Sequence, residues 1–113
     1  MTLAEYQAAF TQRALACGFV RDPGPWHRFR TPAGGVLLLE FPGVPIDRDT
    51  WCYEARWRVT GAEQADYQHL AALDAAVRDL PARFDYRTNG VVPAHVPARG
   101  GFGSGAENDT RGT

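Results

Sequence analysis

The sequence predicts an α+β fold: an N-terminal helix, a three-stranded antiparallel sheet with a possible fourth edge strand, a second helix packed on one sheet face, and a disordered C-terminal tail. Three observations predict it. Apolar residues recur at helical spacing in two stretches, Leu3 to Cys17 and Leu70 to Leu80. Trp51 to Thr60 instead alternates with the period of two that a strand imposes. Between the outer stretches, Asp22-Pro23-Gly24-Pro25 and Pro32-Ala33-Gly34-Gly35 are turn clusters, short enough to make successive strands antiparallel neighbours. The 113 residues suffice for one domain. That domain is expected over 1–93, with a flexible Gly-rich tail over 94–113.

The first helix opens on Thr2-Leu3-Ala4-Glu5, a capping box in which Thr2 and Glu5 each satisfy the other's backbone N–H. Leu3, Tyr6, Phe10, Ala14 and Cys17 form its apolar stripe, and Gly18 supplies a left-handed terminus. Phe19 and Val20 are expected to pack on the core. A strand follows from Trp26 to Thr31, then a central one from Val36 to Phe41, apolar on both faces. Pro42 to Thr50 reads as a loop. In the third strand, Trp51, Tyr53, Ala55, Trp57 and Val59 share one face, and Cys52, Glu54, Arg56 and Arg58 the other. Thr60-Gly61-Ala62-Glu63 reads as a second capping box, ahead of a stripe of Leu70, Leu73, Val77 and Leu80 that Pro81 ends. Asn89-Gly90 is a tight-turn signal, so residues 84–92 suit a short edge strand or hairpin.

A register follows from the turns. With the first hairpin centred on Ala33, Arg30 faces Val36, Arg28 faces Leu38 and Trp26 faces Glu40. With the second connection centred on Ile46, Val36 faces Arg56, Leu38 faces Glu54 and Glu40 faces Cys52. One sheet face then bears Trp26, Arg28, Arg30, Arg56 and Arg58, with Glu40, Glu54 and Cys52, around a Val36–Leu38 strip. The other bears His27, Phe29, Leu37, Leu39, Phe41, Tyr53 and Trp57 and forms the core. The arginine face suits a solvated surface of cross-strand Glu–Arg pairs, each worth about 0.2–1 kcal/mol. It equally suits a binding surface, because arginine forks grip carboxylates in bidentate fashion and an exposed Trp adds rigid apolar contact.

Composition excludes several chemistries. All 12 basic residues are arginine, so neither a Schiff-base lysine nor a lysine base exists. GC-rich coding accounts for that bias. Ser104 is the single serine and lies in the tail, which removes serine-nucleophile hydrolysis. Net charge is −1, which gives no global pull toward nucleic acid or acidic membranes. The longest apolar run, Val36 to Leu39, is far too short to span a bilayer. Met1 to Glu5 has neither the basic start nor the apolar stretch of a secretory leader, so a cytoplasmic location is expected.

The remaining reactive residues suit structural roles. Cys17 falls on the core side and Cys52 on the open side, which disfavours a disulfide. His27 points away from Cys52, which disfavours a Cys–His pair. His27, His69 and His95 share no metal-ligand spacing, and His69 is expected to be exposed. Asp47-Arg48-Asp49 carries solvated loop charges. Glu40 and Glu54, beside arginines, suit ion pairing rather than proton donation. No catalytic, cofactor or metal residue is therefore assigned.

Phe10 to Val59 resembles a bacterial domain family of unknown function, the one numbered 4304. The likeness lies in a helix ending at Gly18-Phe19, Trp26-x-Arg28-Phe29, the apolar strand at Val36 to Phe41 and the aromatic strand from Trp51 to Val59. It implies no active site. Domains of this size and plan are also similar to toxin-immunity proteins and phage-encoded inhibitors. The expectation is a non-enzymatic protein-binding domain whose partner presents an acidic surface. The alternatives are a small enzyme or small-molecule binder, with a pocket lined by Tyr53, Trp57 and His27, and a nucleic-acid contact module.

Overall fold

The computed structural model describes residues 1–24 and 27–92. Trp26 and the expected tail lie outside the described residues. The architecture is α+β, with two helices and two antiparallel sheets. In chain order the elements are α1 (Leu3–Ala16), β1 (Val20–Arg21), β2 (Arg28–Arg30), β3 (Val36–Glu40), β4 (Gly43–Pro45), β5 (Trp51–Glu54), β6 (Arg56–Thr60), a 3₁₀ turn (Gln64–Asp66), α2 (Tyr67–Ala76) and β7 (Arg83–Asp85). The first sheet has the order β1-β2-β3-β6, the second β4-β5-β7. No described helix is long and apolar enough to cross a membrane.

α1 forms as its sequence dictates. Thr2 N donates to Glu5 Oε1 at 2.7 Å, and Glu5 N donates back to Thr2 Oγ1 at 3.2 Å. Gly18, at φ +96°, lets the chain leave in the left-handed conformation, with Phe19 N donating to Ala14 O. Tyr6, Phe10 and Ala14 face the core, where Phe10 meets Phe29 and Tyr6 meets Phe41 and Phe84. α2 adds Leu73, with Val77 just beyond its end. Phe19 is buried as expected, but Val20 is 62% exposed because β1 is an edge strand whose alternate side chain turns outward.

The first hairpin has the expected register: Arg28 opposite Leu38 and Arg30 opposite Val36. The second does not. Val36 faces Thr60, Leu38 faces Arg58 and Glu40 faces Arg56, a slip of four residues. The reason is that the expected loop of 42–50 begins with a strand, β4. Gly43, Val44 and Pro45 pair with Tyr53, Cys52 and Trp51 in unbroken continuation of the β3–β6 register. Residues 36–60 are thus one long bent hairpin that serves both sheets. Its bend lies at Phe41-Pro42 opposite Ala55, whose N–H turns away to Ala82 O. Its tip is the turn in which Asp47 Oδ1 accepts the N–H groups of Asp49 and Thr50, both at 3.0 Å. An even slip preserves side-chain faces, so the assignment of arginines to one side and core residues to the other stands.

Two further expectations change. Thr60 caps no helix: it is the last residue of β6, and the helical turn starts at Glu63, whose N–H donates to Asp66. Trp51 is 51% exposed, because the hairpin runs on past the core that its face-mates Tyr53, Ala55 and Trp57 join. The edge segment over 84–92 is a hairpin, as expected. β7 pairs with β5, and Phe84 bridges back to Val91 across a turn in which Asn89 takes φ +58°.

Candidate functional site

The described arginines of the expected contact surface come together on one face of the first sheet. Arg28, Leu38 and Arg58 form one cross-strand row; Arg30, Val36 and Thr60 form the next; Glu40 and Arg56 form a third. Alternation on three adjacent strands places them so, while Phe29, Leu37 and Leu39 point to the buried side. The arginine side chains are 46–61% exposed, and no described helix covers them. Trp26, the fifth residue expected here, lies outside the described residues.

Each arginine already has a carboxylate neighbour. Arg28 and Arg30 share Asp22, at 3.4 Å each. Arg56 donates to Glu54 at 3.0 Å, and Arg58 lays its Nε and Nη2 on the two oxygens of Glu40 at 3.2 and 3.4 Å. Exposed pairs of this kind contribute about 0–1 kcal/mol. A partner carboxylate can therefore exchange with them at little cost. With Glu40 and Glu54 engaged as acceptors, neither is set up as an acid or base.

An open cleft of about 620 Å³ borders this face, lined by His27, Arg28, Leu38, Leu39, Glu40, Phe41 and Pro42. Burial, then the nearby Arg21 charge, holds the His27 imidazole below its ordinary pKa. A second cleft of about 630 Å³ lies at the far end of the hairpin, between Trp51, Tyr86, Asp49 and Asp85. It was not expected from the sequence, since it depends on β7 pairing beside β5. The exposed aromatic Trp51 was the available signal. Neither cleft is lined by Tyr53 or Trp57. Tyr53 instead stacks on Tyr86, with ring centroids 4.7 Å apart.

Cys52 departs from its expected place on an open face. It is fully buried, because β4 and β7 flank it on either side and set Val44 and Asp85 opposite it. Burial pushes its thiol pKa up; Arg83 opposes this, and Glu54 and Asp85 add to it. A thiol held protonated is a poor nucleophile. Cys17 is also free. His69 is half-buried rather than exposed, and its Nδ1–H donates to Cys17 O at 3.0 Å, tying α2 to the end of α1.

No local pattern pointed to the role of Asp66. Its carboxylate is fully buried. Oδ2 accepts the Thr31 hydroxyl at 2.8 Å and the Glu63 N–H at 3.1 Å, and Oδ1 accepts the Ala33 N–H at 2.9 Å. Thr31 Oγ1 in turn accepts the Gly35 N–H at 2.7 Å. Desolvation raises the Asp66 pKa, but the Glu63 and Ala33 N–H groups, the Thr31 hydroxyl and the His69 charge outweigh it and leave the carboxyl below its ordinary value. Every bond runs to this chain's own turns, so Asp66 is a structural fastener between the β2–β3 turn and the entry to α2.

Comparisons with protein-family models, with curated proteins and with solved structures return no match.

Proposed function

We propose that this chain is a non-enzymatic protein-binding domain of the immunity or inhibitor type, which engages an acidic partner surface through the arginine face of its first sheet. One observation carries the reading: Arg28, Arg30, Arg56 and Arg58 stand exposed on one side of three adjacent strands, around the half-buried Val36 and Leu38. Planar forks around an apolar strip match a partner with carboxylates around an apolar patch. Asp22, Glu40 and Glu54 offset much of the positive field, which favours a folded acidic partner over a nucleic-acid backbone. The pocket-enzyme alternative has less support, since Tyr53 and Trp57 pack against the core cluster. The likeness to the family of unknown function numbered 4304 belongs to the same proposal and adds no site.

The test pairs binding with stability. Protein carrying Arg56→Ala and Arg58→Ala together is expected to recover at least about tenfold less of the partner in a quantitative pull-down, the loss of two charge-assisted contacts. Its Tm should stay within about 3 °C of the parent, because only exposed pairs are lost. Unfolding of the double variant, or unchanged recovery of every captured protein, would reject the reading.

A further inference from the structure

β6 is the terminal strand of the first sheet, and the direction of its backbone groups follows from the ladder. Leu39 N donates to His27 O, so the odd-numbered residues of β3 bond toward β2 and the even-numbered ones toward β6. Glu54 N donating to Pro42 O continues that alternation along the hairpin. Arg56, Arg58 and Thr60 therefore spend their backbone groups on β3. Trp57 and Val59 turn theirs outward. Along β5 the same outward edge is occupied by β7, the last bond being Ala55 N to Ala82 O. Along β6 no described strand pairs with it.

From this we infer that β6 is a strand-addition site, which takes an extended, antiparallel partner segment with acidic residues at alternate positions. The inference rests on the protein-binding reading and specifies how the partner docks. Residues of an added strand that hydrogen-bond with Trp57 and Val59 share the core-side face with them. The intervening residues lie opposite Arg56 and Arg58, in the closer, non-hydrogen-bonded pairs where side chains meet best. Acidic side chains there would pair with both arginines. A second copy of this chain fits badly. Antiparallel self-pairing sets Arg58 opposite its own copy, or Arg56 opposite Arg58, and like charges directly opposite are destabilising. Charged edges also serve simply to repel strands, and the experiment separates that role from this one.

The probe is a fluorescein-labelled octapeptide of alternating glutamate and valine, titrated by anisotropy against the whole chain. N-methylation at the valines removes the amides that would face β6 and should weaken binding at least tenfold; N-methylation at the glutamates, whose amides face away, should change it less than about threefold. Hydrogen exchange read by NMR supplies the second measure. The Trp57 and Val59 amides should exchange faster than that of Arg58 in the free protein and slow at least tenfold with saturating peptide. A Val59→Pro variant, which loses an outward N–H only, should reproduce the loss. Equal binding of both methylated peptides, abolished by Arg56→Ala with Arg58→Ala, would overturn strand addition while leaving the arginine face as a binding surface. No binding up to millimolar peptide, slow exchange at Trp57 and Val59 in the free protein, or dimerisation through β6 would each overturn it as well. The pull-down above decides the protein-binding reading independently.

Discussion

An Asp66→Asn protein is expected to melt roughly 10 °C or more below the parent at neutral pH. The two carboxylate oxygens of Asp66 face three donors: the Thr31 hydroxyl, the Ala33 N–H and the Glu63 N–H. Asparagine fills the same space but turns one acceptor into a donor. Whichever way its amide is set, an N–H then points at an N–H or a hydroxyl in a site without solvent. The pH dependence carries a definite sign. The folded-state pKa of Asp66 lies below its ordinary value of 3.8, so its stabilising contribution is complete above that value. It is lost as pH falls through the depressed folded value. Thermal melts from pH 7 down to pH 2 should show the gap between parent and Asp66→Asn closing only in that acid window. A gap independent of pH would mean that shape, not charge, is what the site requires. Because Thr31 and Asp66 form one network, Thr31→Val combined with Asp66→Asn should cost less than the two changes summed.

Phe84→Ala is expected to destabilise the domain by about 3–5 kcal/mol, the range for an aromatic truncated in a closed core. For a domain of this length that corresponds to a fall in Tm of at least about 12 °C. Phe84 is fully buried, meets Tyr6 of α1 edge-on with ring centroids 5.4 Å apart, and sits opposite Tyr53 in the β5–β7 ladder. It is the fully buried aromatic by which the second sheet reaches α1. Its loss should therefore act unevenly. Hydrogen exchange should rise first over 43–54 and 83–92, while β2 and β3 stay protected until global unfolding. Uniform loss of protection would show that the two sheets unfold as one unit.

How far the sequence carried this far depended on whether a signal was local. The helix start at Thr2, its end at Gly18 and the first hairpin each rest on residues close in the chain, and all three form as expected. The split of the sheet into arginine and core faces also held, since alternation depends on parity and not on exact pairing. The register of the second hairpin failed because Pro42, Gly43 and Pro45 read as loop. In the structure they lie at a bend and on an edge strand, where a missing proline N–H costs little. Asp66 was illegible for a different reason. Its partners Thr31 and Ala33 lie more than thirty positions upstream, and no periodicity connects them. A faint signal existed in the glycines. A side chain at Gly35 would stand 2.8 Å from the Gly61 carbonyl oxygen, so those two positions are pressed together beside the fastener.

The bent hairpin also sets where this molecule can change in length. Its two arms keep a single pairing rule from Val36–Thr60 through the bend to Pro45–Trp51. Loss or gain of one residue within either arm would turn everything beyond that point inside out, driving Cys52 toward water and tyrosine or tryptophan rings the wrong way. Residues 47–49 escape this constraint, since they close the ribbon beyond its last pair, in which Ile46 N donates to Thr50 O. Natural variation in length, and any engineered graft of a recognition loop, should therefore collect at that tip and be nearly absent from the ribbon on either side of it, about 34 Å long at 3.4 Å per residue.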